Sequence, residues 1–292
     1  MKPQKFGPHV FSLSALVTMG NAIVITPKLN FISFVFFFAL SLFLMWITTV
    51  IIKRSYKNIV LYSCVEFLVC AVAISGSVIT LVDYLNFLTR EQMPQTNVIP
   101  ILIVLIALIA FFYTRKMEVV YKYALLSFVG VVLVIVLCFI GGVKIFTYKN
   151  IADYFLFSGF SAKGFFALFS SVIVLPLIAK QNAKAVFCGV STGFVLILIA
   201  SLHTVFILGV GANVLYPYLK SVGVISSGSL FTRLDGLVYY LFFTTALLKM
   251  VIGISVIKKC NIAVKLCNCT CLKKRARMCY NDQYNSKRGE SV

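Results

Sequence analysis

The chain has 292 residues, 61% of them hydrophobic, a mean hydropathy of +1.00 and a formal net charge of +19. The apolar residues come in unbroken runs such as "IPILIVLIALIAFF", which excludes a water-soluble globule and the alternating pattern of a membrane β-barrel. The basic excess sits in short loops and a C-terminal tail, so it reads as membrane topology and attraction to anionic headgroups rather than as a nucleic-acid surface.

Eight apolar spans are expected in chain order: Val10–Thr26, Phe31–Ile52, Ile59–Phe87, Val98–Tyr113, Tyr123–Val143, Phe165–Ile178, Val186–Gly211 and Leu234–Ile257. The first lacks a small-x-small cleavage site and the second follows within a few residues, so it reads as a retained helix, not a signal peptide. It contains "TMGNAIVITP", Thr18 to Pro27. Gly, Asn and Pro so close together loosen a backbone that has no water to satisfy it. Unwinding near Gly20-Asn21 would aim the N–H groups of a following half-helix at an anion and the free carbonyls of the preceding half at a cation. A zwitterionic amino acid suits that pair of ends, which makes Thr18, Met19, Gly20, Asn21, Ala22 and Ile23 candidate ligand-binding residues. The competing reading is a small-residue face for helix packing.

The third and seventh spans are long enough that they must tilt or protrude. The sixth is short and holds Gly164, Ser170, Ser171 and Pro176. A discontinuity is expected at Ser170-Ser171, with Pro176 removing one intrahelical bond a turn later. Phe169 would close over a small apolar side chain, so Phe169, Ser170 and Ser171 join the candidate site. An ordinary proline-kinked helix is the alternative. Breaks in the first and sixth spans suggest two inverted five-helix repeats, a plan that places ligand near the bilayer midplane.

Charge inside a membrane is costly and is usually paired or functional. Glu66 in the third span and Lys249 in the eighth are each expected on the order of 10–12 Å from the inner surface, at the usual helical rise. They form a candidate ion pair, direct or through water, with snorkelling of Glu66 to the interface as the alternative. Arg233 and Asp235, at the outer end of the eighth span, are expected to cap and orient that helix. With both termini placed inside, the inner segments hold Lys2, Lys5, Lys53, Arg54, Lys57, Arg115, Lys116, Lys122, Lys180, Lys184 and the basic tail, against fewer basic residues outside.

Cys64, Cys70, Cys138 and Cys188 lie in or near spans and read as small buried hydrophobes. Cys260, Cys267, Cys269, Cys271 and Cys279 belong to residues 258–292, a cytoplasmic, basic, Cys-rich tail expected to be disordered with reduced thiols. Its "CNCTC" is dense enough for a soft metal but does not match the paired spacing of a zinc site, and no metal is assigned. His9 and His203 are the only histidines, and no phosphate loop or nucleophile elbow occurs. No enzymatic activity and no cofactor are expected.

The stretch "LYPYLKSVGVISSGSLFTRLDGLVYYLFFTTALLKM", Leu215 to Met250, resembles the spore germination permeases, the B subunits of germinant receptors. Pro217, Leu219, Ile225, Ser226, Gly228, Leu230, Arg233, Leu234, Asp235, Leu237 and Lys249 fit the family's pattern, with Gly236 where it usually has Ala. "GNAIVITP" resembles its opening motif and "LPLIAKQNAKA" the end of its sixth helix. The similarity covers about residues 8 to 257. It implies an all-α polytopic membrane protein of the amino acid–polyamine–organocation superfamily, a LeuT-like inverted-repeat bundle with eight of the usual ten transmembrane helices. It also implies a subunit in the inner membrane of a bacterial endospore that works with A- and C-type subunits and recognises a small germinant, usually an amino acid. In sodium-independent members of that superfamily a cationic side chain stands where others bind sodium, a role the resemblance offers to Lys249. The absence of helices nine and ten suggests a truncated or frameshifted paralogue, and active transport or loss of ligand binding remain as alternatives.

Overall fold

The computed structural model describes residues 7–20, 31–55, 59–89, 97–150, 162–178, 182–209, 217–226 and 236–256. Every regular element among them is helical. In chain order these are α1 (Gly7–Met19), α2 (Phe31–Ser55), α3 (Ile59–Phe87), α4 (Val98–Thr114), α5 (Met117–Gly142), α6 (Ala162–Val172), α7 (Leu175–Ile178), α8 (Ala183–Leu208), α9 (Pro217–Ser226) and α10 (Gly236–Val256). Among the described residues five helices are long and apolar enough to cross a membrane: Phe31–Ile52, Cys64–Phe87, Met117–Ile145, Ala183–Leu208 and Gly236–Val256.

Large apolar side chains face outward along these helices. Phe36, Phe43 and Trp46 are exposed on α2, and Leu126, Val129 and Leu133 on α5. In water such faces would drive aggregation; in a bilayer they are the solvated surface, because lipid tails are as apolar as the side chains. The chain is a helical membrane protein. Trp46, its single tryptophan, stacks on Phe43 on this lipid-facing side.

At the centre lies α1, buried from Ser12 to Met19. A helix buried on all sides needs close neighbours, and α8 supplies one through two glycines. A β-carbon on Gly193 would fall 2.7 Å from the Ala15 carbonyl oxygen and 2.9 Å from Thr18 Cβ, and one on Gly189 would strike Phe11 O and Ser14 Cβ. The two backbones therefore touch, the packing that small residues permit where no hydrophobic effect drives helices together. On another side Phe11 meets Phe128 of α5 edge to face, centroids 5.5 Å apart. Ser12 and Thr18 return their hydroxyls to the Pro8 and Ser14 carbonyls, so neither leaves an unsatisfied polar group in the core.

Opposite this cluster, α3 and α10 approach where Gly253 abuts Ser77 and the Ala73 carbonyl. Higher up the same pair, Tyr84 and Phe87 pack edge to face on Phe242 at 5.5 and 5.0 Å. α4 begins at a capped N-terminus, with Asn97 Oδ1 accepting from the Ile99 N–H at 3.1 Å.

His203 joins three elements. Its Nε2 lies 3.1 Å from the Cys138 carbonyl of α5 and its Nδ1 3.2 Å from Ser221 Oγ of α9. A carbonyl only accepts, so Nε2 carries the proton of that bond. The single Ser221 proton faces both Nδ1 and the Tyr218 carbonyl, the latter at 2.7 Å. The histidine that the sequence left without a role is a buried polar tie between α5, α8 and α9.

Candidate functional site

Helix α1 stops at Met19, and Gly20 follows with φ of +37°, its N–H donating to the Leu16 carbonyl at 3.0 Å. A left-handed residue at a helix end satisfies one carbonyl of the last turn and strongly favours glycine. The carbonyls of that turn carry the negative end of the helix dipole. Thr18, Met19 and Gly20 are all buried here. Asn21, Ala22 and Ile23 lie outside the described residues, as do Arg233, Asp235 and the tail 258–292.

Lys249 of α10 reaches this end. It is 4% exposed, and its stem crosses Gly20 so closely that a β-carbon at position 20 would sit 2.6 Å from Lys249 Cδ and 3.6 Å from Nζ. One turn earlier on α10, Thr245 Oγ1 lies 3.0 Å from the Gly20 carbonyl oxygen. A cation at a helix C-terminus is stabilised by about 0.3–1 kcal/mol at the surface and up to about 2 kcal/mol where partly buried. The buried ammonium therefore has its counter-field in α1.

The break in the sixth expected span falls at Ile173-Val174, between α6 and α7, and the helix continues through Ser170 and Ser171. This corrects the expected position by about one turn. The cause is Pro176, whose missing N–H deprives the carbonyl of Val172, four residues earlier, of its helical donor. Leu177 N–H instead reaches Val174 O, a tighter turn, at 3.2 Å.

Ser170 nevertheless meets the α1 end through α3. A β-carbon on Gly76 would lie 2.6 Å from both Cβ and Oγ of Ser170, and 3.9 Å from Lys249 Cε. Gly20, Lys249, Thr245, Gly76 and Ser170 thus converge from α1, α10, α3 and α6. Ser171 is also buried, and Phe169 is half-buried on the same helix. Thr80 donates to the Gly76 carbonyl at 2.7 Å, which satisfies its buried hydroxyl within α3.

Asp83, 6% exposed, is a buried acid on the face of α3 that Gly76 turns to Lys249. Glu66, the partner expected from the sequence, lies about 15 Å before Gly76 along α3 at the usual rise per residue. Lys249 meets α3 beside Gly76, ten residues from Glu66 and seven from Asp83. Asp83 was missed because its place near the end of a long span reads as an interfacial carboxylate. A signal was available in the spacing Gly76, Thr80, Asp83, which lies on one face of α3. Gly76 and Thr245 carried no signal of their own, since a glycine or threonine in a membrane helix is common.

Comparisons with protein-family models, with curated proteins and with solved structures find no match. Fold and site define a helical membrane protein whose buried lysine lies against the end of its first helix.

Proposed function

We propose that this chain is a germinant receptor subunit that senses a small nutrient, an amino acid as the candidate class, in the inner membrane of a bacterial spore. The reading rests on the resemblance at Ile225–Lys249 and at the first span, and one observation supports it above others. Gly20 and Lys249, which belong to the two resembling stretches at opposite ends of the chain, pack directly on each other. Ligand would sit beside this contact, between the end of α1 and the Phe169–Ser171 turns of α6. Lys249 would hold a fixed positive charge at the helix end, removing any need for a bound sodium ion. A LeuT-like inverted repeat, here with eight helices, is the architecture this reading entails, with A- and C-type subunits as partners and both termini in the cytoplasm.

The test is germination of spores carrying Gly20→Val, with membrane levels of the protein matched to wild type. Loss of the nutrient response supports the reading, and an unchanged response rejects a site at Gly20. Uptake of labelled amino acid by proteoliposomes of the purified chain would replace sensing by transport.

A further inference from the structure

The short helix α9 packs on α8 and α5, against the turns that carry His203 and Cys138. Tyr218, Ser221, Val222 and Ile225 are buried in that contact, and Lys220 and Val224 stand exposed on the other side. The contact is mostly apolar. Its polar link from α8 is the imidazole of His203, 1% exposed, which meets Ser221 through Nδ1.

The surroundings of that ring suit a neutral imidazole. Nε2–H donates to the Cys138 carbonyl, and Nδ1 faces a hydroxyl that can donate to it. The rings of Phe139, Phe146 and Tyr218 wall it in, with centroids at 6.3, 5.9 and 5.6 Å. Gly142 is bare where Nε2 passes. The titratable groups facing the ring are the Cys138 thiol of α5 and the Tyr218 phenol of α9, both neutral at ordinary pH. The charged groups carried by the adjoining segments are Lys144 and Lys149, after α5, and Lys220 on α9, all exposed. Of the three acids among the described residues, Glu66 and Asp83 belong to α3 and Glu118 to the opposite end of α5.

A second proton on this ring would therefore place a charge in an apolar wall with no counter-charge, which is costly in a buried site. The bond to α9 is not the obstacle. Ser221 can turn its hydrogen to the Tyr218 carbonyl and accept from Nδ1 instead. What the charged ring lacks is water, and α9 is the element that keeps water out.

We propose that His203 makes α9 a pH-sensitive latch, in which proton uptake by the ring unseats α9 from α8 and α5. Once α9 lifts, the wetted imidazole binds a proton near its ordinary value of about 6.5. Acid then favours the unseated form and neutral pH the seated one. Two pH units below that value the unseated population rises by up to about 100-fold. The inference concerns α9 alone and stands whether or not the chain senses a nutrient.

The experiment exposes the full chain in lipid nanodiscs to hydroxyl radicals at about pH 7.5 and about pH 4.5, on either side of the ordinary imidazole value. Oxidation of Tyr218 is read by mass spectrometry against Tyr148, which is already exposed with α9 seated. The ratio is expected to rise at least about tenfold in acid. His203→Gln keeps an amide that can donate to the Cys138 carbonyl and accept from Ser221, yet takes up no proton, so its ratio should stay low at both pH values. An unchanged wild-type ratio would overturn the proposal, as would an acid response that persists in His203→Gln. Should that variant be labelled at both pH values, the ring itself decides. His9→Gln leaves a single histidine, whose nitrogen-15 NMR shifts report its protonation. The ring is expected to gain its proton over the pH range in which Tyr218 becomes labelled. A ring that charges while Tyr218 stays protected, or stays neutral while Tyr218 opens, removes the latch.

Discussion

Thr245 Oγ1 stands 3.0 Å from the carbonyl oxygen of Gly20, so α10 grips the chain at the point where α1 ends. The same hydroxyl lies 2.9 Å from Leu241 O and 3.2 Å from Phe242 O. One proton faces three carbonyls, and the Gly20 carbonyl receives only a share of it. The ammonium of Lys249, a turn further along α10, adds positive charge beside the same helix end.

Thr245→Val keeps the shape of the side chain and removes that proton. The expected cost is about 0.5–1.5 kcal/mol of stability, the net worth of one hydrogen bond. Thermal unfolding in mild detergent would show it as a small drop in Tm. A cost of zero would mean that the Gly20 carbonyl is satisfied without Thr245.

Gly20→Ala meets two obstacles together. The left-handed conformation costs an L-residue about 1–2 kcal/mol, and the new methyl would sit 2.6 Å from Lys249 Cδ. The lysine stem must move, which should expose its amine. Acetylation of Lys249 by a membrane-permeant reagent, followed by mass spectrometry, is expected to rise in the variant. Unchanged acetylation, with the fold intact, would show that the stem does not depend on the bare glycine.

Lys249→Met separates charge from packing, since methionine is a flexible, apolar filler of similar reach. Replacing both members of a buried pair by apolar groups is often neutral or stabilising, whereas removing one leaves the other charge uncompensated. Tm should therefore fall with Lys249→Met, and further with Lys249→Ala, which also leaves a gap. Removing Asp83 by Asp83→Asn in both backgrounds gives a double-mutant cycle. A coupling of about 0.5–3 kcal/mol is expected, and a coupling near zero would show that Asp83 does not act on Lys249.

His203→Ala leaves the Cys138 carbonyl and the Ser221 hydroxyl to rearrange in a buried setting, at a cost of about 1–3 kcal/mol. Ser221→Ala should cost less, because its one proton is shared between Nδ1 and the Tyr218 carbonyl. The two losses are expected to be less than additive, measured as unfolding midpoints of the single and double variants. Full additivity would deny that α8 and α9 are tied through this pair.

Much of this arrangement was legible in the sequence, and the parts that were not have physical reasons. Helix type and lipid-facing character follow from long apolar runs. The end of α1 follows from a glycine in a stretch that otherwise favours helix, and Lys249 stands out because a cation in an apolar run needs a partner. Its neighbour on α3 could not be read. Gly76 reaches Lys249 through a contact between helices far apart in sequence, which composition does not encode. The break after α6 was misplaced because a proline acts on the carbonyl four residues before it, so the helix holds through Val172 and gives way at Ile173-Val174 rather than at the two serines.

The position of Trp46 settles how this molecule can be watched. Its indole is 60% exposed on α2, turned outward with Phe43. Native fluorescence therefore reports on the surrounding lipid and is blind to events around Gly20. The interior holds no indole, and a reporter tryptophan placed there, with Trp46 replaced by Phe, would give a signal free of background under excitation selective for tryptophan.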